Sequence, residues 1–159
     1  MTRVMKTIDE SRPSTTTLSP DSHLKLIPDP WGVYEVVGRI KYRSAAGADF
    51  KFSFTLPSGS RFDFFALGPN AGAADENALR MGTFNWSAGD TNTAVYGGIG
   101  SSTDSTLYIR GLLFTEDTIG DFGLEWAQQV STASTTRVRY CSTLVMEYVE
   151  ENIGYSPAP

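Results

Sequence analysis

The sequence predicts an all-β fold: an antiparallel β-sandwich or jelly roll of about eight strands, with an extended amino-terminal arm. Three observations predict it. Apolar residues recur at every second position through most of the chain, as in Phe50, Phe52, Phe54, Phe62 and Phe64. Polar turns such as "TIGD" (118–121) and "STASTT" (131–136) separate these runs. No segment sustains the 3.6-residue period of an amphipathic helix.

Taken in order, "VYEVVGRIKYR" (33–43) sets Tyr34, Val36, Ile40 and Tyr42 against Glu35, Arg39 and Lys41. That is a strand with one dry and one wet face. In "DFKFSFTLPSGSRFDFF" (49–65), Phe50, Phe52, Phe54 and Leu56 oppose Lys51, Ser53 and Thr55. Pro57 fixes φ for a turn and Gly59 permits positive φ, so this stretch reads as a hairpin. Strands are expected at 80–86, 93–97, 106–114 and 121–130, and a single closing strand at 136–149. In that last one Val138, Tyr140, Leu144, Met146 and Tyr148 share a side. "ADENALRMG" (74–82) reads as a loop. Three stretches of small residues, 68–78, 87–93 and 97–106, read as exposed connections.

The 159 residues suffice for one domain, expected over 31–150, with the arm at 1–30 and a tail at 151–159. The arm is polar and broken by Pro13, Pro20, Pro28 and Pro30, so it is not expected to fold by itself. With a net charge of -5 and 13 Lys and Arg scattered along the chain, the sequence lacks the concentrated basic face that phosphate neutralisation needs. No nucleic-acid partner is expected. No apolar run approaches the ~18 residues of a membrane span, and the amino terminus lacks the apolar segment of a secretory signal. Neither membrane contact nor secretion is therefore expected. The single cysteine, Cys141, precludes an intrachain disulfide and reads as a small packed residue.

Catalytic signals are weak. His23 is the one histidine, and its neighbours Asp21 and Ser22 do not make a triad, whose members meet across a fold. There is no HExxH or CxxC pattern, "DTNTAV" (90–95) lacks the ligands of a calcium loop, and "GGIG" (97–100) lacks the Lys of a phosphate loop. Asp117, Asp121 and Glu125 offer carboxylates for a glycosidase pair, as any acidic chain does. No catalytic residue, cofactor or metal is assigned. Trp86 closes an alternating strand and is placed in the core.

"FKFSFTLPSG" (50–59), followed by residues 107–149, resembles the small β-domains of tailed-phage and prophage structural proteins. The matching positions are Phe52, Phe54, Pro57, Gly59, Gly111, Leu113, Thr115, Gly120, Phe122, Leu124, Trp126, Ala127 and Gln128, then the run Leu144-Val145-Met146. The resemblance spans Trp31 to Val149. It departs at Cys141-Ser142, where many relatives carry Gly-Ser. What it implies is a virion protein without enzymatic activity, a homotrimer of jelly-roll-like subunits. A chain with no long shaft fits a capsid decoration (cement) protein, made in the host cytoplasm and bound to the major capsid protein on the outer capsid surface. The alternative is a tail-tip or fibre module that binds a receptor or glycan through the loops near Asn70, Asp90 and Thr103. On the decoration reading the arm grips the shell. Val4, Met5 and Ile8 would enter apolar recesses, and Arg3, Lys6 and Arg12 would meet acidic surface.

Overall fold

Alternation of apolar and polar side chains is realised as two antiparallel sheets packed face to face. The computed structural model describes residues 1–72 and 77–152, and among them there are twelve strands and no helix. In chain order these are β1 (Thr2–Met5), β2 (Glu10–Arg12), β3 (Ser19–Leu26), β4 (Gly32–Ser44), β5 (Phe50–Thr55) and β6 (Arg61–Pro69). They continue with β7 (Leu79–Ser87), β8 (Ala94–Tyr96), β9 (Gly100–Phe114), β10 (Phe122–Gln128), β11 (Thr136–Val138) and β12 (Thr143–Glu151). The larger sheet runs β1-β12-β4-β9-β6-β7, with β11 and β2 continuing beside β4; the smaller runs β3-β10-β5-β8. The fold is thus an all-β antiparallel sandwich.

The core lies between the sheets and is mostly aromatic. Tyr34, Val36, Ile40 and Tyr42 point inward from β4 as their spacing predicts. Phe50, Phe52 and Phe54 do so from β5, where Phe54 stacks on Phe122 at 5.2 Å and meets Phe62 edge-on at 5.2 Å. Offset and edge-to-face pairs of this kind add to the area term of burial. Trp86 and Trp126 are both buried.

Four expectations are corrected. The first is the hairpin at Pro57–Gly59. β5 pairs with β10 and β8, whereas β6 pairs with β9 and β7. The turn, closed by Ser60 N–H donating to the Pro57 carbonyl (3.0 Å) with Gly59 at φ 77°, is a corner between sheets. Both strands still direct their rings inward, because the two sheets share one core.

The second is the extended arm. Residues 2–26 form β1, β2 and β3, which pair with β12, β11 and β10. The exposed edges of those strands supply the backbone partners that a polar, proline-broken segment cannot supply for itself.

The third is the closing strand, which is broken into β11 and β12 at residues 139–142. Cys141 there has φ 66° and is exposed, so it is not the packed residue expected from its apolar surroundings. Tyr140 is turned outward as well. The fourth is the small-residue stretch 97–106, of which residues 100–106 extend β9 instead of looping. Residues 73–76 of the first small-residue stretch, and the tail beyond Asn152, lie outside the described residues.

Candidate functional site

The two outer faces of the sandwich differ in character. The smaller sheet presents His23, Lys25, Lys51, Thr55 and Glu125, with Thr55 Oγ1 donating to Glu125 Oε1 at 3.0 Å. The larger sheet presents rows that follow from its register. One row reads Met81, Leu67, Tyr108, Arg39, Thr143, Met5 across β7, β6, β9, β4, β12 and β1. The next reads Thr83, Phe65, Arg110, Val37, Val145, Arg3, and a third Asn85, Asp63, Leu112, Glu35, Glu147.

Met81 (67% exposed), Met5 (47%), Leu112 (40%), Leu67 (37%) and Tyr108 (36%) leave much of their apolar surface in water. Phe65 lies 6.3 Å from Tyr108, and Arg110 Nε donates to Glu35 Oε1 at 2.8 Å among them. A shallow groove of about 550 Å³ runs between Phe65, Thr83, Arg110 and Leu112. Methionine, aromatic and arginine side chains are enriched at protein interfaces. Met81, Leu67 and Tyr108 are consecutive in one row, and a contiguous apolar patch marks a contact surface more often than inert exterior. At the neighbouring end of β4, Asp104 bridges Lys41 (2.9 Å) and Arg43 (2.5 Å). The hydrogen bond from Arg43 holds its carboxyl at about 2; burial opposes the shift and Lys41 reinforces it.

The six residues assigned to the arm separate into three groups. Arg3 and Met5 lie on the outer face of the larger sheet, and Ile8 is exposed in the turn between β1 and β2. Val4 faces inward against the core. Lys6 and Arg12 are turned into the protein and, so placed, offer their charges to internal groups. Arg12 donates to the carbonyls of Ser19 (2.7 Å), Pro20 (2.8 Å) and Trp126 and to Glu10 Oε1 (2.5 Å), and its guanidinium lies 3.9 Å over the Trp126 ring.

Lys6 has no exposed surface. It sits where β1 gives way to β2, opposite the break between β11 and β12. Its N–H donates to the Ser142 carbonyl and its carbonyl accepts from Cys141 N–H, both at 2.8 Å. The paired breaks turn its side chain in towards β3. There Nζ lies 2.8 and 2.9 Å from the two oxygens of Asp21, also fully buried, and 2.8 Å from Glu10 Oε2. Asp21 Oδ1 also accepts from the backbone N–H groups of His23 (2.9 Å) and Leu24 (3.0 Å), and Oδ2 from the Trp126 indole (3.0 Å).

Burial would raise the Glu10 carboxyl, but hydrogen bonds from Lys6, Ser22 and Arg12 outweigh it and hold it at about 2. Glu10, Asp21 and His23 place their ligand atoms within 4.8 Å of one another, with the Lys6 ammonium as the cation among them. Sequence reasoning placed Lys6 on the surface and gave Asp21 no role. The one signal, a lysine and two acids within sixteen residues, has no period that ties it to a site.

Of the loops weighed for glycan binding, those of Asn70 and Thr103 lie at one end of the larger sheet, where Gly97 N–H donates to the Pro69 carbonyl at 2.8 Å, and that of Asp90 lies at the other. Asp90 follows β7, whose end pairs with the start of β6, whereas Asn70 follows the end of β6.

No family model and no curated protein matches the chain. Among solved structures it is similar to a chain in the structure of the infectious bursal disease virus Gt strain. The identity is 7% and the TM-score 0.21, over 95% of this chain and 38% of that one. A chain from the Gx strain of the same virus gives 7% and 0.21, over 97% of this chain and 45% of that one. The protein thus spans less than half the length of these weakly similar viral chains, and overlap this loose carries no assignment.

Proposed function

We propose that the protein is a non-enzymatic component of a virus particle: a capsid decoration protein that binds the assembled head as a trimer and stabilises it. The outer face of the larger sheet is the observation that carries this reading, because Met81, Leu67, Tyr108 and Leu112 are exposed on it among charges of both signs, Arg39, Arg110 and Glu35. Two further features support it. One is the resemblance of residues 31–149 to phage structural β-domains. The other is the winding of β3 to β10. Numbered one to eight in chain order, they lie as 1-8-3-6 in one sheet and 2-7-4-5 in the other, the nested order that a jelly roll requires.

On this reading the outer face of the larger sheet forms the threefold contact. The exposed Ile8, beside the likewise exposed Tyr140, meets the major capsid protein; the Tyr140 N–H donates to Asp9 Oδ1 at 2.9 Å, which keeps the two turns together. Binding only the assembled shell stabilises it by linkage, and three contacts per trimer act through effective concentration. The amino-terminal strands belong to the sheets, so the test uses surface substitutions and leaves the chain intact. Wild type is expected to scatter light as a trimer and to co-sediment with heads stripped of it. The double variant Leu67→Glu, Met81→Glu is expected to stay folded but monomeric and to leave heads bare. A variant that remains trimeric and still coats heads overturns the assignment of this face.

A further inference from the structure

We propose that Lys6 and Asp21 condense to an intramolecular isopeptide bond, with Glu10 moving the protons. Two ions with no exposed side-chain surface have surrendered their hydration, which their mutual attraction must offset. An amide between them would abolish both charges while leaving the two side chains in contact. The geometry for that step is in place, with the amine nitrogen 2.8 and 2.9 Å from the carboxyl oxygens and held there by packing. Fixed reactants of this kind gain effective molarities of ~10⁵–10⁸ M.

The step balances without any co-reactant. Glu10 Oε2 takes a proton from Nζ and relays it to Asp21 Oδ2, the freed lone pair attacks Cγ of the now neutral carboxyl, and charge develops on Oδ1. Oδ1 faces the two backbone N–H groups of His23 and Leu24, which serve as its oxyanion hole. The Cγ–Oδ2 bond then breaks. Two protons originating on the ammonium, relayed by Glu10, leave with Oδ2 as water, and one N–H remains on the new amide. Ionised Glu10 is the form this relay needs, and its low pKa supplies it. Ser22 Oγ–H donates to the same Glu10 oxygen at 2.6 Å and holds it in position. His23 Nδ1, 2.8 Å from Ser22 Oγ and 3.5 Å from Nζ, is the other titratable group facing the amine. The bond would staple the β1–β2 break of the larger sheet to β3 of the smaller.

Mass spectrometry of the denatured full chain tests this. Wild type is expected to weigh one water less than its sequence. Cleavage after Glu10 should leave two peptides still joined through Lys6 and Asp21. Lys6→Met and Glu10→Gln, checked for wild-type circular dichroism, should have full mass, and Asp21→Asn should lose ammonia in place of water. Wild-type protein at full mass overturns the proposal whether or not the variants fold. So does a loss of water mapped elsewhere in the chain, or a folded Glu10→Gln protein dehydrated as completely as wild type.

Discussion

Phe52 is fully buried, and its ring centroid lies within 6.5 Å of those of Phe50, Phe54, Phe64, Trp86 and Tyr96. Those neighbours come from both sheets, so Phe52→Ala opens a void that no single strand can close by shifting. Phe→Ala in such a core costs about 3–5 kcal/mol, the sum of lost transfer energy and a residual cavity. Against a total stability of about 5–15 kcal/mol, that is a large fraction but not necessarily all of it. With about 4 kcal/mol lost and a urea slope of about 2 kcal/mol/M, the midpoint should fall by about 2 M. Urea titration followed by tryptophan fluorescence, to which the buried Trp86, 5.9 Å from the Phe52 ring, and Trp126 both contribute, reads this. Phe52→Asp adds a buried charge and is expected to prevent folding. A Phe52→Ala midpoint within about 0.5 M of wild type would mean that the rings do not interlock between sheets as described.

Gly111 lies where β9 meets β6. A Cβ there would stand 2.2 Å from the Asp63 carbonyl oxygen and 2.4 Å from Phe64 Cβ, so Gly111→Ala must spread the two strands. It should cost about 1–3 kcal/mol in thermal unfolding, while Gly47→Ala, which meets nothing within 4 Å, should change little. Asp104 is depressed from 3.8 to about 2, so its contribution is complete above the unfolded value and is lost as pH falls through the folded one. Asp104→Asn should therefore melt below wild type at neutral pH, with the gap closing between pH 3.8 and about 2; a gap independent of pH would refute that role. Cys141 should react with a thiol reagent in the folded protein, because it is exposed at the strand break; protection until unfolding would contradict its placement.

Much of the fold was legible because the signal is local. Side chains alternate across a strand whatever its partner, so Tyr34 to Tyr42 and Phe50 to Phe54 declared their inward faces without any knowledge of topology. The same period is silent about which strands pair. "LPSG" carries the chemistry of a hairpin turn, and only the winding of the two sheets made it a corner. Nor does period reveal what happens when a strand is interrupted. Lys6 looks like a surface cation in "RVMKTI", and Asp21 like a solvent-facing acid in "SPDSH". Two opposed breaks, one before β2 and one before β12, drop Lys6 between the sheets, and β3 delivers Asp21 to meet it.

The outer face was half visible. Arg3 and Met5 were singled out, but the alignment of Met5 with Tyr108, Leu67 and Met81, and of Arg3 with Arg110 and Phe65, depends on the register of six strands. By itself the sequence determined that this chain forms strands with ringed inner faces, because steric alternation and burial act over neighbouring residues. Tertiary structure alone decided which residues became a cluster or a surface, because those contacts join positions that are distant along the chain.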